Sequence, residues 1–402
     1  MCCANCALVS CWNGHKSVVM RAVIVAARRT PVGKLRGALR RFRVEELAAP
    51  VFQALLTDAK VRPDQIDDVI MGNAAGPGGN PARVAALQAG FPVSIPGMTV
   101  DRQCGSGLEA INTAARLIEA GAGEIYIAGG VESTSTAPLR YDAGDGSEPP
   151  KPFTRARFSP DFVGDPDMGA AAENVAREYK ITRARQDAFA LRSHQKATAA
   201  TKEKRFAAEL VPIHEGGSVL LDHDECPRAD TSLEKLAALA PVFDQNGTVT
   251  AGNACPINDG AAAVLIMSQS KADDLGIDEG MTVVDSTVAG VDPNVLGIGP
   301  VPAVQKLLKR QGFSMADIDL VEFNEAFAAQ VLACTDKLGI LDDQLNLGGG
   351  ALALGHPYGA SGAILVVRMF TELIRRDGGT RGLATLGIGG GMGLATLFER
   401  FV

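Results

Sequence analysis

Ile66-Asp67-Asp68-Val69 and Ile318-Asp319-Leu320-Val321 open two stretches of this chain that run in step. Cys104 follows Ile66 by 38 residues, and His356 follows Ile318 by the same 38. Each is trailed by a turn of small residues, Gly105-Ser106-Gly107 in the first stretch and Gly359-Ala360-Ser361-Gly362 in the second. Each turn leads into a helical pattern and then into a strand that ends in glycines, at 129–130 and at 387–391. The same order of elements at the same spacing marks an internal duplication. Two related halves packed about a pseudo-twofold axis bring equivalent loops to the centre, so Cys104 and His356 are expected to meet there.

Around that repeat the chain alternates strand and helix. Residues 23–26 and 68–71 read as strands, 44–56 and 108–120 as helices with apolar positions at helical spacing, and 124–128 as another strand. This is α/β architecture, with mainly parallel pairing expected. Residues 135–167 carry Pro149, Pro150, Pro152, Pro160 and Pro166 among glycines and charges, which predicts a surface loop. Helices follow, and strand character returns at 262–267. The expected domains are a first half over 20–131 plus 257–277, an inserted loop domain over 132–256, and a second half over 278–402. Residues 1–19 hold Cys2, Cys3, Cys6 and Cys11 and precede the first core strand. They read as a disordered leader. Cys3 and Cys6 have metal-like spacing, but no second pair completes a zinc site, so no metal is expected.

The chain has 402 residues, 46 % of them hydrophobic and 21 % charged, enough for a substantial core. Its net charge of −7 argues against nucleic acid as a partner, because a phosphate-binding surface needs excess cations. No apolar run is long enough to span a bilayer, and the C-terminal Glu399-Arg400-Phe401-Val402 is no peroxisomal address. The expected location is the cytoplasm. Cysteines scattered through so long a chain do not make a disulfide scaffold.

Cys104 is placed just before a helix, where backbone amides and the helix dipole favour a thiolate. A neighbouring His356 can take its proton. A lone cysteine in such a place is also consistent with a small buried apolar residue; the matched spacing to a glycine-flanked histidine favours the nucleophile. Asn324, at the end of a strand, can orient a water or an oxyanion, or cap a helix. The run Gly387-Ile388-Gly389-Gly390-Gly391-Met392-Gly393 can turn its amides into an oxyanion nest.

Four segments make the reading specific: Asp101-Arg102-Gln103-Cys104-Gly105-Ser106-Gly107, the run from Asn324 to Gln330, the run from Gly349 to Gly362, and Gly389-Gly390-Gly391-Met392-Gly393. In this order they resemble the motifs of the thiolase (acetyl-CoA acetyltransferase and 3-ketoacyl-CoA thiolase) family. Val23–Gly33, Thr248–Asn253 and Asn258–Ala261 extend the resemblance over residues 20–402. It implies a duplicated five-layer αβαβα core with an inserted loop domain, and a homodimer or homotetramer. It implies that Cys104 accepts an acyl group from acyl-CoA, activated by His356. Asn324 through a water, with His356, then forms one oxyanion hole. The amides of Cys104 and Gly389 form the other. Arg228 would lie by the adenine end of coenzyme A, and Met168, Phe243, Ala251 and Phe327 would line the pantetheine tunnel. Coenzyme A is substrate here, and no bound cofactor is implied.

The departures matter as much. Thiolases usually carry a cysteine where this chain has Gly387, and that thiol moves the proton at the α-carbon of the second substrate. Relatives of the lipid-transfer type place a cysteine in His-Asp-Cys-Phe, whereas this chain reads Asn324-Glu325-Ala326-Phe327. Cys334 reads as a buried helix residue. Cys255-Pro256 replaces a small pair often found beside coenzyme A, and Asp167 precedes Met168 where some relatives have histidine. Three functions are compatible: a thiolase-type acyltransferase with a weakened Claisen step, an acyl transferase or thioester hydrolase using a non-carbon acceptor, and a non-catalytic acyl-CoA-binding scaffold.

Overall fold

The computed structural model describes residues 20–401; the leader expected over 1–19 lies outside them. Nine strands carry the core: β1 (Ala22–Arg29), β2 (Asp68–Gly72), β3 (Gly97–Val100), β4 (Ile125–Ser133), β5 (Asn258–Ser268), β6 (Gly280–Gly290), β7 (Leu320–Phe323), β8 (Arg381–Ile388) and β9 (Met392–Phe401). They follow one another across the sheet as β7-β8-β9-β6-β1-β5-β4-β2-β3. Within each half the order is the same, β2-β4-β5-β1 matching β7-β8-β9-β6, which is the duplication read from the sequence. A two-residue ladder, Val23↔Thr282 and Ile24↔Met281, joins the halves.

The pairing is mixed, not mainly parallel. Only β2 with β3, β2 with β4, and β7 with β8 run parallel. The inner ladders are antiparallel. The reason is connectivity: parallel neighbours need a helical crossover, while β8 turns straight into β9 through Gly389–Gly391.

Side chains alternate across each strand and so feed different layers. On one outer face, helices α1 (Val44–Ala59) and α2 (Pro81–Gln88) pack on Val69, Ile127, Ala263 and Leu265. In the middle, α3 (Ser106–Glu119) lies with the far helix of the second half, Tyr358–Phe370, between Ile24, Ala128 and Val264 on one side and Ala384, Leu386 and Leu394 on the other. On the second outer face, Pro300–Gln311 and Ala328–Leu338 cover Val321, Phe323, Leu383 and Leu397. That gives helix, sheet, helix, sheet, helix. The central Tyr358–Phe370 helix is buried nearly all round, as its continuous apolar run requires.

Between β4 and β5, which lie side by side, the chain makes a long excursion. It contains α4 (Met168–Glu178) and α5 (Arg183–Lys202), and the expected surface loop holds a short hairpin of Arg140–Asp142 with Lys151–Phe153. The longer helices that follow are α6 (Pro300–Gln311), α7 (Ala328–Leu338) and α8 (Tyr358–Phe370). Three glycines sit differently from expectation. Gly129-Gly130 lies within β4, because a Cβ on Gly130 would strike the carbonyl of Gly359 at the start of α8. Gly387 also lies within a strand, and the tight turn begins only at Gly389.

Candidate functional site

Cys104 stands at the head of α3, one residue before its cap at Gly105. Gln103 ahead of it is held at φ 48°, a left-handed conformation uncommon for a side chain of this kind. Asp101 holds that kink by accepting from the Gln103 amide at 2.7 Å. His356 occupies the equivalent place before α8. Its backbone N–H donates to Asn258 Oδ1 at 2.8 Å, and its Nδ1 pairs with Ser361 Oγ at 2.6 Å. Because Nδ1 is engaged, Nε2 is the nitrogen left for chemistry.

Both residues line one cavity of about 570 Å³, with Gly387 and Gly389 in its wall. The amides of Cys104 and Gly389 act on the Cys104 thiol and favour its anion. Burial outweighs them and pushes the thiol up to about 11, so the helix start does not yield the resting thiolate that the sequence suggested. Burial also lowers His356 to about 4. At neutral pH the pair is therefore a thiol beside a neutral imidazole.

Met168, Phe243, Cys255 and Phe327 line the same cavity. Phe243 and Phe327 meet edge to face at 6.3 Å. Arg228 and Ala251 lie in an adjoining cavity of about 270 Å³ with Lys34 and Lys235. Ala254 and Pro256 line both cavities, so a cationic mouth leads inward to the cysteine. Cys334 is fully buried in α7, its thiol on the Gly297 carbonyl at 3.4 Å.

Asn324 does not line the main cavity. It is buried, its Nδ2 has no partner among the described residues, and it borders a space of about 20 Å³ with Ser361, Glu322 and Arg368. A space of that size holds one water. The helix-cap alternative does not apply, since α7 starts at Ala328 behind Phe327 with no side-chain cap.

Several residues at the site escaped the sequence reading. Ser361 orients His356 from the start of α8, and its place in the small-residue turn after the histidine was the available signal. Glu132 accepts from the Ala74, Ala75 and Gly359 amides and from Asn73 Nδ2, pinning both halves together beneath the cavity. Glu325 takes Ser193 Oγ at 2.6 Å and Asn346 Nδ2 at 2.8 Å, tying α5 to the segment that leads to His356. Phe158, under the Arg155 guanidinium, covers Gly389. Glu132 and Glu325 carry no local sequence signal, because their partners are far away in the chain.

Residues 22–270 match the thiolase N-terminal domain, and residues 279–400 match the thiolase C-terminal domain. The chain belongs to the thiolase family. It is accordingly an enzyme of the acyl-CoA acyltransferase type. It is 49 % identical over 382 residues to the Bacillus subtilis (strain 168) protein named "Putative acetyl-CoA C-acetyltransferase YhfS", covering 94 % of this chain and 99 % of that one. It is 47 % identical over 384 residues to "Putative acetyl-CoA C-acetyltransferase VraB" of Staphylococcus aureus (strain MRSA252), covering 95 % and 100 %. The crystal structure of the Bacillus anthracis acetyl-CoA acetyltransferase superposes with a TM-score of 0.88 at 41 % identity, over 95 % of this thiolase and 99 % of that chain.

Proposed function

We propose that this thiolase takes an acyl group from acyl-CoA onto Cys104 and passes it on, with acetyl-CoA C-acetyltransferase chemistry whose condensing step is weak. The observation that carries the reading is that Cys104 and His356, one from each half, line a single cavity. With Nδ1–H donating to Ser361, His356 Nε2 takes the thiol proton as sulfur attacks the thioester carbon. The amides of Cys104 and Gly389 hold the developing oxyanion. Following the family resemblance, Asn324, through a water in the small space it borders, and His356 form the second hole. The departing coenzyme A thiolate recovers its proton from His356. Arg228 serves the adenine end, and Met168, Phe243, Ala251, Cys255 and Phe327 the pantetheine arm; the cationic mouth and the apolar bore support that assignment. The excursion over 132–256 acts as the coenzyme A-binding domain between the halves 20–131 plus 257–277 and 278–402.

Gly387 has no side chain to move an α-proton. A positioned base contributes roughly 10²–10⁴-fold, so condensation should be slower by about that factor. The same absence favours the second reading, transfer to water or another heteroatom acceptor. The free thiols of Cys104, Cys226, Cys255 and Cys334 support a reducing, cytoplasmic setting. No helix among the described residues is long and apolar enough to cross a membrane. Exposed Val84, Leu87, Val93 and Met98 beside the outer strand β3 support a homodimer or homotetramer.

Intact-mass analysis after incubation with acetyl-CoA tests this. One acetyl group per chain is expected on the native protein and on Cys334→Ala, and none on Cys104→Ala. Labelling that survives Cys104→Ala overturns the assignment, and a native protein that takes no label leaves the scaffold reading in its place.

A further inference from the structure

Gly387 is bare of side chain, yet the space in front of it is filled. A Cβ built there would collide with Nε2 of Gln330. Gln330 comes from the first turn of α7, on the other wall of the cavity. Its stem is held close to Gly297, where an added Cβ would meet Gln330 Cγ at 3.1 Å. The residue is 3 % exposed and lines the cavity with Cys104, His356 and Gly389. Among the described residues its carboxamide has no hydrogen-bond partner, and unlike that of Asn324 it is not sealed from the cavity. Such an amide is available to a ligand in the cavity.

The location says which partner. The Gly389 amide serves the Cys104 sulfur. The Gln330 amide stands instead in front of Gly387, where the family resemblance puts the thiol that meets the α-carbon of the second substrate. A carboxamide neither takes nor gives a proton at neutral pH, but it donates two hydrogen bonds. The surrounding Met168, Phe243, Leu296 and Phe327 suit an organic acceptor better than water.

We propose that Gln330 Nε2 donates a hydrogen bond to the carbonyl oxygen of a second acyl thioester and stabilises its enolate. The inference rests on the acyl-Cys104 reading above. His356, neutral again once coenzyme A has left with its proton, takes the α-proton. The enolate carbon then forms the new bond to the acyl carbon, the bond to Cys104 sulfur breaks, and the sulfur recovers the proton from His356. In this chain His356 takes over the proton transfer of the absent thiol, and the Gln330 hydrogen bond stabilises the enolate that results.

The test uses the full-length protein with acetyl-CoA in D₂O. Deuterium entering the acetyl methyl reports enolate formation, and intact mass reports acylation separately. Gln330→Met keeps the volume and removes the donor. It is expected to lower deuteration and acetoacetyl-CoA formation about 100-fold, the usual loss for one oxyanion donor, while the acylation rate changes less than about threefold. Gln330→Glu donates only when protonated, so its deuteration should be lost at pH 8 and partly return at pH 5, a pattern a merely structural role would not give. Equal deuteration in Gln330→Met and native protein overturns the proposal. So does an acylating native protein with no deuteration above solvent background, or a Gln330→Met variant that loses only hydrolytic release of coenzyme A. A native protein that does not acylate at Cys104 removes the underlying reading instead.

Discussion

At the residue scale the chemistry turns on two neutral groups. A thiol pushed up to about 11 beside an imidazole lowered to about 4 cannot rest as an ion pair. Burial disfavours charge on both, and proton transfer must accompany attack. The population of the competent neutral pair is then constant between those two values. Single-turnover acylation by acetyl-CoA is expected to vary less than about threefold from about pH 6 to 9. A rate climbing tenfold per pH unit over that range would show that a free thiolate attacks. The same burial has a cost at low pH. The unfolded chain protonates His356 near 6.5 and the folded one only near 4. Stability from this residue is complete above about 6.5 and is lost as pH falls through about 4.

At the scale of elements, α3 and α8 must start almost in contact for their leading residues to share one cavity. Glycine makes this possible. A Cβ on Gly107 would sit 2.6 Å from the Gly359 carbonyl, and one on Gly362 would sit 2.5 Å from the Leu108 amide. These are backbone atoms with nowhere to go. Gly107→Ala is expected to destabilise the fold by about 1–3 kcal/mol, seen as a lower urea midpoint, and to slow acylation by separating Cys104 from His356. Unchanged stability and rate would mean that the helices part without consequence. The sequence indicated these turns by their small residues. It did not indicate that each small residue faces the other turn, because that contact joins positions some 250 residues apart in the chain.

At the scale of the whole molecule, the two sheet edges are treated differently. Beyond β7, the segment at Leu345 pairs in parallel with Val321, and Val321 exchanges backbone hydrogen bonds with Gln344 and Asn346. Beyond β3 no described strand follows, and the apolar side chains of Val84, Leu87, Val93 and Met98 lie exposed nearby. An open edge with apolar neighbours invites another strand. Met98→Lys is expected to shift the protein from an oligomer towards monomer in sedimentation velocity. A native protein that sediments as a monomer would remove the basis for that edge as an interface.

The sequence alone determined the duplication, the five-layer fold and the family, and it brought out Cys104 and His356 as the candidate pair. All of these rest on local spacing and on motifs contiguous in the chain. It also determined what is missing at Gly387. Tertiary structure alone decided what fills that space, since Gln330 reaches it from a helix in another layer. It decided the mixed pairing, which depends on how loops connect strands rather than on strand patterns. It decided that Asn324 borders a small space beside Ser361 instead of the main cavity. Above all it decided the charge state of the candidate pair, because burial is a property of the packed core and overrides what the helix start alone would do.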